Sequence, residues 1–212
     1  MIYTIITSII LTYFTNKYLS YVRKEANKIT YNIPIIYFLI ITLSICIYLK
    51  YGLTIESIRY IFLIPFLVGI SIIDYQTTYI YDITIVSGII IQGVILISSI
   101  NIEKDFKSHI SALFVGLIFS YILAKLTKSL GEGDIGLFAL CSFTLGHDYS
   151  IYMIFLSFMI AFIYCIYIIF TKNKSIKDSI PFAPFISLAT MLIMLTENYI
   201  LTSYFDIMYN VL

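Results

Sequence analysis

Apolar runs dominate this chain. Eight of them, at about 2–19, 33–49, 57–73, 83–100, 109–127, 134–147, 150–170 and 180–201, are separated by short polar segments. A helix needs about 20 predominantly apolar residues to cross the hydrocarbon core of a bilayer. Within lipid every backbone polar group must be satisfied internally, which leaves helices as the structure such runs can form. The pattern therefore predicts an all-α fold, a polytopic transmembrane helical bundle of about eight spans. The sixth run is short and predicts a span that is tilted or thinly covered. Composition agrees: 60% of the residues are hydrophobic and 12% charged, where a soluble domain carries about 25% charged residues. A formal net charge of +1 points to no nucleic acid and no acidic partner, whereas the lipid bilayer is an obligatory one. The reading is of one integral membrane domain over 1–212, with a core at 57–201 and a small N-terminal region at 1–56. Met1–Thr15 lacks a basic leader region and a small-residue cleavage site, so it reads as a retained span. The tail Thr202–Leu212, with Tyr204, Phe205 and Tyr209, reads as interfacial.

Loop charges suggest an orientation. With the N-terminus outside, nine of the 13 Lys and Arg fall in inner loops and four (Lys50, Arg59, Lys104 and Lys107) in outer ones. The positive-inside rule then favours this arrangement in a plasma membrane, with the loops at 74–82 and 128–134 cytoplasmic. Cys46, Cys141 and Cys165 lie in apolar runs and form no CxxC pair, so they read as small buried hydrophobes. His109 and His147 stand at span ends without ligand spacing. Neither a metal site nor a cofactor is expected. Gly88, Gly93 and Gly116 lie within spans, where close helix packing is the expected reason.

Two motifs carry the chemistry. In Ser71–Asp82 an apolar run ends abruptly at Asp74, and Asp82 precedes the next run. Asp82 reads most simply as a helix N-cap. Asp74 differs, because the C-terminal end of a helix disfavours a negative charge. No Lys or Arg lies between Arg59 and Lys104 to neutralise it. A carboxylate so placed at a membrane boundary is a functional candidate. The second motif is Gly131-Glu132-Gly133-Asp134, at the start of the sixth span. Gly131 and Gly133 allow a tight turn and close approach of another chain beside Asp134; a capping aspartate after a flexible turn is the alternative. Bulk at Gly133 is expected to crowd Asp134, and bulk at Gly136 to matter less. Both aspartates end spans on the same predicted face. Two carboxylates sharing one proton supply an acid and a base together, the arrangement that activates water for peptide hydrolysis. The sequence has no HExxH, GxSxG or P-loop to support a competing chemistry.

At these residues the chain resembles the type IV prepilin peptidase family, membrane aspartyl proteases of the GxGD type. Asp74 matches the family's first aspartate and Asp134 its GxGD aspartate. Ile80-Tyr81-Asp82 stands where members have Ile-Pro-Asp, and Gly136 where many have Lys. Pro181 and Pro184, in Ile180–Phe185, resemble a Pro-Phe-Gly-Pro-Phe segment near the last span. The resemblance covers roughly Ser57–Leu188. It implies catalysis by Asp74 and Asp134, with Gly131, Glu132 and Gly133 at the substrate approach and Asp82, Pro181 and Pro184 in support. It implies type IV prepilin or pseudopilin substrates, cleaved at the cytoplasmic face. Many members carry a cytoplasmic loop with two CxxC pairs, associated with N-methylation. Here the loop Asn16–Asn32 has no cysteine and keeps only Asn16 and Arg23 of the family pattern. The resemblance therefore implies the peptidase and does not extend to a methyltransferase. A membrane transporter or channel component with boundary aspartates is the alternative. It would place ionisable groups deep within several spans. A structural subunit, with both aspartates as caps, is a third reading.

Overall fold

The computed structural model describes residues 1–26, 30–98, 106–127, 130–171 and 180–196. Within them the chain is helical throughout: α1 Ile2–Ala26, α2 Ile33–Tyr51, α3 Ile55–Thr77, α4 Asp82–Ser98, α5 Phe106–Thr127, α6 Glu132–Leu145 and α7 His147–Thr171, followed by α8 Ala183–Thr196. The helices correspond one to one with the eight apolar runs. Four of them (α2, α3, α5 and α7) are long and apolar enough to cross a membrane unaided. The predicted tail, the end of the eighth span, Glu197, and Lys28, Lys104, Lys128, Lys172, Lys174 and Lys177 of the charge count lie outside the described residues.

Local chemistry sets the helix ends. Thr54 caps α3 by accepting the Ser57 N–H at 3.2 Å. Gly52, at φ +67°, and Gly146, at φ +88°, supply left-handed turns after α2 and α6, a conformation that costs glycine little. Pro34 opens α2, where its missing N–H is not needed.

The bundle is organised around α3 and α6. α6 is buried at every position from Leu137 to Leu145, as expected of a helix that is apolar all round. Its 14 residues span about 21 Å, well short of a bilayer core of about 30 Å. It is enclosed by α4, α5 and α7, and α3 reaches it as well. α5 approaches it most closely. A Cβ at Gly116 would lie 2.8 Å from the Phe138 carbonyl oxygen and 2.7 Å from Ser142 Cβ. Gly88 of α4 is similarly close, 2.8 Å from Leu140 Cδ2. Gly93 departs from the expectation, with nothing within 4 Å of a Cβ there. α1 and α2 also pack on α3. α8 is held by the bond from Ser187 Oγ to the Leu67 carbonyl at 3.3 Å and by Tyr51 donating to the Met194 carbonyl at 2.8 Å.

Several hydroxyls inside the bundle satisfy themselves on the preceding helical turn. Thr12, Ser44, Ser120, Thr144 and Thr190 each donate to the carbonyl four residues earlier, the usual solution for Ser and Thr where water is absent. Of the cysteines, Cys141 is fully buried, Cys165 is partly covered, and Cys46 faces outward, contrary to expectation.

Candidate active site

Asp74 lies in the last turn of α3, which runs on to Thr77. Its backbone carbonyl accepts the N–H of Thr78 at 2.8 Å. Thr78 adopts φ +52°, a left-handed geometry that is strained for a β-branched residue. The strained cap ends α3 and turns the chain so that Ile80 is buried against Gly133. The Asp74 side chain is 4% exposed. Its Oδ2 accepts the Ala183 N–H at 3.0 Å, and the Phe182 backbone N–H bonds the same carboxylate.

The Pro181–Phe185 segment explains that contact. Ala183 is the first residue of α8, so its N–H is one of the donors a helix start leaves unsatisfied. Pro184 has no N–H to satisfy. Pro181 is buried and Pro184 half-buried. Phe182 packs on Phe138 and Phe158 with ring centroids 6.0 and 5.0 Å away. Phe185 meets Tyr164 of α7 at 5.1 Å. The aromatic wedge fixes the start of α8 over the end of α3.

Asp134 is 8% exposed and occupies the third position of α6. Its Oδ2 accepts the N–H of Gly131, the N-cap residue, at 3.1 Å. That is the capping half of the two readings the sequence left open. Its Oδ1 is buried and makes no hydrogen bond within the described residues, so one oxygen anchors and the other remains for a further partner. The helices that carry the two aspartates, α3 and α6, touch.

A Cβ at Gly133 would stand 2.7 Å from Ile80 Cβ, and one at Gly136 2.8 Å from Ile85 Cδ1. Both glycines are therefore packed against the chain itself, Gly136 about as closely as Gly133. Glu132 is exposed at the start of α6. Asp82 is also exposed. It is the first helical residue of α4, inside the helix and not ahead of it as an N-cap, where its charge still faces the positive end of the helix dipole.

Two features escaped the sequence. Gln76, half a turn beyond Asp74, clasps Thr30 in both directions, donating to its carbonyl at 2.6 Å and accepting its N–H at 2.7 Å. This fixes the end of the α1–α2 connection beside the end of α3. At the opposite end of α3, Arg59 is 1% exposed. It donates to the Phe143 carbonyl at 2.8 Å and contacts the His109 ring at 2.7 Å. It is an interior residue and not the outer-loop charge it was counted as. Among the described residues no three His, Cys, Asp or Glu side chains gather as a metal site.

A family model for the type IV leader peptidase family matches residues 61–166. The match runs from within α3 into α7 and includes both aspartates. No curated protein and no solved structure matches the chain.

Proposed function

Because the chain belongs to the type IV leader peptidase family, we propose that it is a membrane-embedded aspartic endopeptidase that uses Asp74 and Asp134 to remove the leader of type IV prepilins or pseudopilins. The observation that carries this reading is that two buried carboxylates, one at the end of α3 and one at the start of α6, sit on helices that touch. Burying an acidic group is costly unless it is hydrogen-bonded, paired or protonated.

On this reading one proton is shared by the pair. The ionised carboxylate takes a proton from a water molecule, whose oxygen attacks the scissile carbonyl carbon. The protonated partner gives its proton to the carbonyl oxygen. Collapse of the tetrahedral intermediate breaks the C–N bond as the amine is protonated. The products are a leader with a free carboxylate and a mature chain with a new amino terminus. The unpartnered Oδ1 of Asp134 suits the reacting side, while Oδ2 stays anchored to Gly131. Exposed Glu132, beside the dyad, suits a basic leader. The loop charges favour cleavage on the cytoplasmic side of the plasma membrane.

The test is incubation of purified enzyme in detergent with the prepilin-like proteins encoded in the same genome, scored by mass. Wild type removes the leader. Asp74→Asn and Asp134→Asn insert normally, keep their thermal transition, and do not cleave. Substantial cleavage by either variant rules out the dyad. Reporter fusions that place Gly131–Asp134 outside the cell rule out the orientation.

A further inference from the structure

A groove of about 390 Å³ runs along the outer face of α3 between α1 and α4. Its floor is Phe62, Pro65, Phe66, Gly69 and Ile70, the i, i+3, i+4, i+7, i+8 stripe of one helix face. That stripe is about 12 Å long. Its last residue, Ile70, stands one helical turn before Asp74. The walls keep the same register. Tyr18 of α1 and Ile83 of α4 flank the aspartate end, and Leu11 and Ile91 flank the far end.

We infer that this groove holds the apolar helix of the substrate that follows the scissile bond, and so sets which peptide bond reaches the aspartates. The inference rests on the peptidase reading above and deepens it. Three features select a helix over the lipid chains that fill ordinary crevices. Gly69, Thr15, Thr84 and Ser87 line the groove, and small residues of this kind let a second helix backbone approach closely in a membrane. The long axis follows α3, as the helix-in-groove mode requires. The groove also ends about one helical turn short of Asp74. A substrate helix seated there would begin within about one turn of Asp74 along the α3 axis, leaving a short extended junction to reach the dyad. Extension is needed because a helical peptide bond is hidden in its own hydrogen-bond ladder. A second copy of the chain fits less well, since a two-fold contact requires each surface to match itself and this one is concave.

The floor offers a clean perturbation. A Cβ at Gly69 meets only Thr15 Cγ2, at an ordinary 3.6 Å. Gly69→Leu and Ser87→Phe fill the groove, and Val94→Phe adds an aromatic ring on the exposed face of α4 as the control. The substrate is a prepilin from the same genome with its apolar segment intact, reconstituted with the enzyme in liposomes. The expected result is a KM at least tenfold higher for both groove variants, with Val94→Phe at the wild-type value. An unchanged KM in Gly69→Leu and Ser87→Phe overturns the inference. The second measurement does not depend on those variants folding well. With the native cysteines replaced, Ser87→Cys is oxidised against single cysteines placed in the first two helical turns of the substrate. A disulfide to the substrate supports the groove. Its absence, or a bridge between two enzyme copies, overturns it. If wild type cleaves no prepilin at all, the peptidase reading itself falls and the groove assignment falls with it.

Discussion

Adding one methyl group to α6 at two glycines three residues apart should give different results, for a reason visible in their contacts. Gly133→Ala places a Cβ 2.7 Å from Ile80 Cβ, and Gly136→Ala places one 2.8 Å from Ile85 Cδ1. Carbon atoms in contact prefer about 3.5–4.0 Å, so each pair must separate by about 1 Å. Ile85 Cδ1 is the free end of a side chain and moves by rotation. Ile80 Cβ is tied to the backbone, so the chain between Asp74 and Asp82 must move with it. Alanine also gains about 0.5–1 kcal/mol over glycine within a helix, which offsets part of the strain at Gly136. The expectation is near-neutral stability for Gly136→Ala and a loss of about 1–3 kcal/mol for Gly133→Ala. Misplacing a catalytic group by 1 Å can cost about 100-fold in rate, so turnover by Gly133→Ala should fall by one to two orders of magnitude. Suppressors separate the two cases. Ile85→Val removes Cδ1 and should relieve the Gly136→Ala contact. Ile80→Val keeps Cβ and should not rescue Gly133→Ala, whereas Ile80→Gly should. The assay is leader removal scored by mass, with thermal unfolding in detergent alongside. Wild-type turnover in Gly133→Ala, or rescue by Ile80→Val as complete as by Ile80→Gly, would refute the argument.

Arg59→Ala should lower stability by about 1–3 kcal/mol, because the Phe143 carbonyl loses the shorter of its two polar contacts inside the bundle and keeps only the His109 ring at 3.1 Å. Activity should fall only with the folded fraction, and a loss of turnover without a shift in Tm would make the Arg59–His109 cluster part of catalysis. Gly116→Val should unfold the protein at markedly lower temperature, since Ser142 and the Phe138 carbonyl leave no space. Gly93→Ala should be neutral or slightly stabilising, and equal effects at the two sites would show that the α5–α6 contact is looser than described.

Much of this was legible in the sequence. The eight apolar runs became eight helices because run length is a local property and lipid permits little else. Asp74 and Asp134 stood out as acids at span ends, and both are buried at helix ends here. The misreadings came from contacts between distant segments. Asp74 lacked any partner nearby in sequence, yet the amides at the start of α8 receive its carboxylate. That partner is 109 residues away. Arg59 looked like a loop charge because its partners, His109 and Phe143, lie 50 and 84 residues off. Gly93 was open to correction from sequence alone. At 100° per residue it stands about 140° around α4 from Gly88, so the two could not serve the same helix contact.

The backbone also bears on how two acids tolerate this position. Asp134 accepts an N–H at the start of α6, and Asp74 accepts one at the start of α8. Both helix starts present unsatisfied donors and the positive end of a dipole. At a partly buried helix end such an interaction is worth up to about 2 kcal/mol. Burying one ion costs several kcal/mol after relaxation. Two helix starts therefore offset much of the cost of a single negative charge and fall far short of two. For a proposed dyad among the described residues of α3, α6 and α8, that arithmetic favours one charge and one shared proton, the state that hydrolysis by water requires. It also gives the Pro181–Phe185 segment a physical task. Pro184 contributes no N–H, Phe182 is wedged between Phe138 and Phe158, and the Ala183 N–H is left aimed at Asp74. Loosening that wedge should disturb the dyad through Asp74 before it disturbs the bundle, because α6, although it meets the wedge at Phe138, is also held by α4, α5 and α7.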